Sequence, residues 1–394
     1  MKSFAILLSL VSLITATPLA FEAQIPLKAE LATYPGFDLD LNALRLVQSE
    51  ESEEPVWMTE LEKVIQLKAQ GIKFFDITES QELGFSASFK SQRKASFPVP
   101  NATEIVEPIL KTLSITGPQE NLKKFSSFRT RYYRSDTGKQ SQEWLLSKIS
   151  EITAEYASES LRELITAKPF PHSWGQSSII VSIKGSSSTD DSVVVIGAHQ
   201  DSTNIWPFLP APGADDDGSG SVTILESYRA LLAADFRPVR TIEFHWYSAE
   251  EGGLLGSQAI AKDYEARSVN VIAMSQFDMT AWVKRGTREE VGIITDFTDE
   301  DLTNFNMALV NLYLNIPYVK TECGYACSDH ASWRKAGYPS SFTIESSFEN
   351  SNKNIHSTND RIDISDEFSF THLLEFSKLA VAFAIELGSV KSSQ

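Results

Sequence analysis

The run Val193-Val194-Val195-Ile196-Gly197-Ala198-His199-Gln200-Asp201 decides how the chain is to be read. Its four leading residues form a continuous apolar stretch, as expected of a strand buried on both faces. A histidine at the end of such a strand points its imidazole into the crevice beyond. A carboxylate two residues on, Asp201, can take the other ring proton, fix the tautomer and raise the basicity of the ring as a ligand.

Working outward, Ile179 to Ile183, Thr241 to Tyr247 and Val271 to Phe277 read as further strands. Helical spacing appears at Leu145, Ile149, Ile152 and Tyr156, and again at Ile224, Leu225, Tyr228, Leu231 and Leu232. A third helix is expected from about Leu254 to Ala266, and a long one from about Asp366 to Leu387. Strands alternating with helices imply a largely parallel sheet with helices on both faces. In such sheets functional groups gather at the carboxyl ends of strands.

Four more motifs meet that expectation. Asp215-Asp216-Asp217, flanked by glycines and followed by a helix, concentrates three carboxylates that require solvent or a cation. It also reads as an acidic helix cap, since the dipole offsets part of the repulsion. Glu250-Glu251 follows an apolar strand, and adjacent glutamates there can divide metal binding from proton transfer. Asp278 ends another apolar run, where a carboxylate is costly unless paired or bound to metal. His356 lies in the polar stretch Ile355-His356-Ser357-Thr358-Asn359-Asp360. Each motif alone has a bland reading as a turn, cap or surface group. Together, two histidines and three carboxylates suffice for two zinc ions sharing one carboxylate, with an open position on each for water.

The rest of the sequence bounds the setting. At 42% hydrophobic, the 394 residues can bury a large core. A net charge of −17 argues against nucleic acid or an anionic membrane as partner. Lys2, the apolar run Ala5 to Ile14 and the small residues near Ala16 read as a secretory signal over 1–16, with cleavage as late as 20. Residues 17–88, with the acidic run from Glu50 to Glu54 and an amphipathic stretch from Trp57 to Lys73, read as a removable propeptide. Its end falls within about ten residues of 88, and the alternative is a permanent N-terminal subdomain. Residues 89–394 then form the catalytic domain. Secretion permits Cys323 and Cys327 to pair, whereas a zinc site built on them would need further ligands and finds only His330 nearby. Asn101-Ala-Thr103 is a glycosylation acceptor. No later stretch approaches the ~20 apolar residues of a membrane span.

The five motifs, in order and type, resemble the di-zinc aminopeptidase family that includes bacterial leucyl aminopeptidases and secreted fungal leucine aminopeptidases. The resemblance covers roughly residue 100 to the C-terminus and is nearest the fungal branch. It implies a three-layer α/β/α fold with a mostly parallel, mixed central sheet. Carried over, Asp216 is the bridging ligand, His199 and Asp278 complete one zinc, and Glu251 and His356 complete the other. Glu250 is implied as general base, Tyr325 as donor to the oxyanion, and Asp201 and Asp217 as supports behind the ligands. A Cys323–Cys327 disulfide and a cis Asp216–Asp217 peptide are implied as well. Met279, Ile294, Phe342, Ile344, Phe348 and Ile355 are expected to line an apolar pocket for the first residue, or else to be ordinary core. The implied protein is a secreted monomer acting on peptides with a free amino end, its own propeptide being a second partner. A one-zinc acyltransferase or carboxypeptidase on the same fold, and a non-catalytic binding domain, are the competing readings.

Overall fold

A computed structural model of the protein describes residues 34–49, 54–85 and 96–389. The expected signal segment and the expected propeptide end near 88 lie outside these residues. The main sheet has eight strands in the order β10-β9-β11-β8-β6-β7-β5-β4. They are β4 (Ile165–Phe170), β5 (Ser178–Ile183), β6 (Val193–His199), β7 (Thr241–Tyr247), β8 (Val271–Phe277), β9 (Val291–Ile294), β10 (Tyr318–Thr321) and β11 (Ser340–Ile344). β6 lies between β7 and β8 and runs parallel to both. β11 is parallel to β8 and antiparallel to β9, while β5 and β4 continue the other edge in antiparallel pairing. The sheet is therefore mixed, with a parallel centre.

All seven residues of β6 are buried, and they divide by the strand's period of two. Val194, Ile196 and Ala198 join the larger core beneath the helices Asp136–Tyr156, Gly218–Ala233 and Phe370–Gly388. Val193 and Val195 join a second core with Ile260, Tyr264 and Trp333 from the helices Leu255–Arg267 and His330–Lys335. Each such aliphatic side chain, fully buried, contributes roughly 1.5–3 kcal/mol. This two-sided burial explains the uninterrupted apolar run. The result is the three-layer α/β/α arrangement. The C-terminal helix begins at Phe370 rather than Asp366, because Ser369 caps it by accepting the His372 N–H at 3.2 Å while Asp366 pairs with Arg285. Among the described residues, no helix is long and apolar enough to cross a membrane.

The N-terminal residues form a separate three-stranded sheet, β2-β1-β3, of Val56–Thr59, Leu44–Gln48 and Phe75–Asp76. The amphipathic stretch from Trp57 starts in β2, then turns helical at Glu60 behind a Thr59 capping box. Leu46, Phe75 and Ile77 pack on Leu254 and Ala331. The Asp76 N–H donates to the Gly253 carbonyl at 3.1 Å. Buried Lys63 lies 3.2 Å from Asp76 and 2.6 Å from Glu60. This segment therefore sits against the loops at the carboxyl end of the main sheet.

Gly220, at the start of helix Gly218–Ala233, marks how tightly that end is packed. An added Cβ would stand 2.3 Å from both the Phe277 carbonyl oxygen and Asp217 Oδ1. Gly220→Ala is expected to cost about 2 kcal/mol or more, read as a lower urea midpoint at unchanged slope.

Candidate metal centre

Three strand ends and two loops supply the central residues. His199 closes β6, Asp278 follows β8, and Glu250 and Glu251 follow β7 by a short turn. Asp216 precedes the helix Gly218–Ala233, and the peptide after it is cis. His356 lies on a loop beyond β11. The His199 Nε2 stands 3.1 Å from Asp216 Oδ1 and 3.6 Å from Asp278 Oδ1. The His356 Nε2 stands 3.0 Å from Asp216 Oδ2 and 3.1 Å from Glu251 Oε2. Asp216 thus offers one oxygen to each of two clusters, His199-Asp216-Asp278 and Asp216-Glu251-His356.

The donor set fits divalent cations. His199 Nε2, His356 Nε2, Asp278 Oδ1 and Glu251 Oε1 are all buried without a hydrogen-bond partner, although such atoms ordinarily have one. Burial disfavours charge on His199, yet Asp278, Asp201 and Asp216 raise its pKa well above the usual value. Burial likewise opposes charge on His356, but Glu251 and Asp216 lift it to about 9. Carboxylates that hold protons on these imidazoles would hold a metal in the proton's place, releasing the proton. Burial, reinforced by Glu251, pushes the Glu250 carboxyl well above the usual range.

Other carboxylates hold the ligands in position. Asp201 accepts the N–H groups of Glu250 at 3.0 Å and Glu251 at 3.2 Å, joining the first motif to the third. The His199 Nδ1 lies 3.2 Å from the Asp201 carbonyl and 3.5 Å from its carboxylate, so the ring leans on the backbone of Asp201 more than on its side chain. Asp217 accepts from His199 N at 3.0 Å, Gly220 N at 2.8 Å and Met279 N at 3.1 Å. Two supports escaped the reading of the sequence. Asp360 accepts from Asp215 N at 2.9 Å and Asp216 N at 3.1 Å. Ser328 donates to Asp278 Oδ2 at 2.7 Å. The position of Asp360 four residues after His356 was the available signal. Ala249, Met279 and His356 hold φ of 59°, 58° and 54°; left-handed backbone at non-glycine residues is costly and clusters at functional sites.

Beside this centre lies a cavity lined by Met279, Phe342, Ile344, Phe348 and Ile355, together with Glu250 and Tyr325. Ile294 does not line it. It pairs with Phe342 across β9 and β11 and is fully buried behind the wall. Cys323 and Cys327 form a disulfide whose loop carries Tyr325, its ring 6.0 Å from that of Phe348. Half-buried Lys73 of the N-terminal segment lines the same cavity. Burial disfavours its charge, but Tyr325, Glu250, Glu251 and Asp216 outweigh that and keep it protonated. Of the other histidines, His330 stacks on Phe342 at 5.0 Å and burial lowers it to about 3. His245 and His372 hydrogen-bond Glu243 and Glu289, away from the centre. Asn101 is exposed ahead of the helix Thr103–Leu110.

The family profile of Peptidase family M28 matches residues 178–380. Leucine aminopeptidase 1 of Colletotrichum graminicola is 51% identical over 343 residues, covering 84% of this chain and 83% of that one. Leucine aminopeptidase 1 of Coccidioides posadasii is 48% identical over 347 residues, covering 85% and 87%. The LapA aminopeptidase of Legionella pneumophila superposes with a TM-score of 0.77 at 30% identity, over 89% of this chain and 95% of that one.

Asp360→Ala strips the acceptor from two buried N–H groups beside Asp216. Loss of a support behind a ligand typically weakens metal binding ~10–100-fold. That loss is expected here, measured by chelator competition on the folded protein.

Proposed function

The chain belongs to peptidase family M28 and is a metallo-aminopeptidase; we propose that it releases leucine and other apolar residues from the free amino ends of peptides, using two zinc ions. The observation that carries this is the pair of three-residue clusters sharing Asp216, with Glu250 and an apolar cavity alongside. His199, Asp216 and Asp278 would hold one ion, and Asp216, Glu251 and His356 the other. Zinc, when bound, supplies a Lewis acid for the scissile carbonyl and makes water acidic near neutral pH. Glu250 takes a proton from the attacking water and returns it to the leaving nitrogen. Its burial supports this role, because burial raises the proton affinity of the carboxylate and so makes it a stronger base. The Tyr325 hydroxyl donates to the oxyanion that develops on the carbonyl oxygen. Met279, Phe342, Ile344, Phe348 and Ile355 receive the first side chain. A methylene there is worth only ~1–3 kcal/mol, so the selection is graded.

The same proposal covers the N-terminal region. Residues 1–16 act as a secretory signal, the protein is extracellular, and 17–88 is a propeptide that covers the centre until removed. Lys73, charged and facing Glu250 and Asp216, supports the covering role. The exposed Asn101 supports glycosylation.

Leucinamide is expected to be hydrolysed, N-acetyl-leucinamide to resist, and chelation to abolish turnover; equal rates on both amides would remove the aminopeptidase reading. Glu250→Gln is expected to retain both metals by elemental analysis while losing ~10²–10⁴-fold in kcat. Removal of the N-terminal segment by limited proteolysis is expected to raise kcat/KM on leucinamide at least ~10-fold, a barrier change of about 1.4 kcal/mol. An unchanged rate after complete trimming would make the segment a permanent subdomain.

A further inference from the structure

Glu250 lines two cavities, not one. The first is the apolar pocket bounded by Met279 and Phe342. The second opens on the side of Glu251 and His356, and its walls outside the N-terminal segment include Thr203, Ile205, Leu254 and Ala326. Hydrolysis dictates how a peptide divides between them. Glu250 must reach both the attacking water and the leaving nitrogen, so the scissile bond lies over it. With the first side chain in the one cavity, the residue that carries the leaving nitrogen faces the other.

Three of those four wall residues are apolar, and the Thr203 hydroxyl is spent on the Asn204 carbonyl. Ile205 is 38% exposed although it stands beside a metal ligand, its N–H donating to the His356 carbonyl at 3.2 Å. The loop behind it is held by contacts outside the N-terminal segment: the Phe208 ring meets Trp206 at 5.9 Å, and Arg129 donates to the Phe208 carbonyl at 3.0 Å. Leu254 is 2% exposed because Leu46, Phe75 and Ile77 of the N-terminal segment lie on it. Ile72 and Phe74 of that segment line the same cavity. The chain's own segment thus shows what chemistry this wall accepts.

We infer that Thr203, Ile205, Leu254 and Ala326 form the binding surface for the second residue of the peptide and select an apolar side chain there. The inference rests on the aminopeptidase reading and on removal of the N-terminal cover. With two subsites, selectivity depends on both sides of the cleaved bond, and peptides with a charged second residue are poor substrates.

The test uses the full chain matured by limited proteolysis, with Leu-Leu-Gly, Leu-Gly-Gly, Leu-Glu-Gly and leucinamide as substrates. Leu-Leu-Gly is expected to exceed Leu-Gly-Gly in kcat/KM by roughly 10-fold or more, within the range a buried apolar group provides. Ile205→Ser is expected to bring that ratio toward one, and Ile205→Lys to favour Leu-Glu-Gly over Leu-Leu-Gly. Ratios taken within one preparation cancel any loss of folded protein. A ratio retained in both variants would overturn the assignment, as would a wild-type protein indifferent to the second residue. Leucinamide has no second side chain, so its failure to react at all would remove the aminopeptidase reading along with this one. Leucinamide turnover that trimming does not raise would remove the cover and this subsite with it, while leaving the aminopeptidase reading in place.

Discussion

The backbone around His199, Asp216, Glu251 and Asp278 is fixed by buried carboxylates that accept N–H groups from neighbouring loops. Asp201, Asp217 and Asp360 each reach across to a different segment, and hydrogen bonds to an ionised acceptor are roughly twice as strong as neutral ones. Removing such an acceptor strands buried donors, at a cost of about 1–3 kcal/mol for each group. The ligand geometry is therefore set by a polar lattice behind it, while the apolar cores on the two faces of the sheet hold the strands that carry it.

That lattice gathers negative charge that protons or cations must offset. Asp215, Asp216, Asp217, Asp278, Glu250, Glu251 and Glu345 are all buried at one end of one sheet. Several have carboxyls displaced upward by burial and by one another, Glu345 by burial first and then by Asp215. Two divalent ions would offset part of this charge without disturbing the backbone bonds, because those bonds are accepted by Asp201, Asp217 and Asp360 rather than by Asp216, Glu251 or Asp278. In the N-terminal segment, Lys73 brings a positive charge to the same place. The segment's own anchor is a distinct buried cluster of Arg45, Lys63, Glu60 and Asp76.

The pocket side is organised differently. Phe342 and Ile344 belong to β11, and Met279 follows Asp278 in left-handed conformation, so wall and ligand share the same strand ends. The disulfide loop carrying Tyr325 closes over this wall, against Phe348. In the proposed enzyme, the residues that receive the first side chain and those that hold the metals therefore stand on the same strand ends.

The sequence by itself determined the strands and the chemistry at their ends. β6 is legible because a strand buried on both faces reads as a continuous apolar run, and β7 and β8 because they are mostly apolar; His199 closes the first, and Glu250, Glu251 and Asp278 stand just beyond the other two. His356 was legible only in company with these, since a lone histidine in a polar loop carries no periodicity. Only the tertiary structure decided that Asp360 supports Asp216, that Asp201 spends its carboxylate on Glu250 and Glu251, and that Ile294 lies behind the pocket. It also decided the antiparallel edges at β4, β5 and β9 and the placement of Lys73 over the centre. The physical reason is the same in each case: these roles arise from which backbone N–H or cavity a side chain meets across a long sequence separation. Local propensity and pattern carry no trace of that.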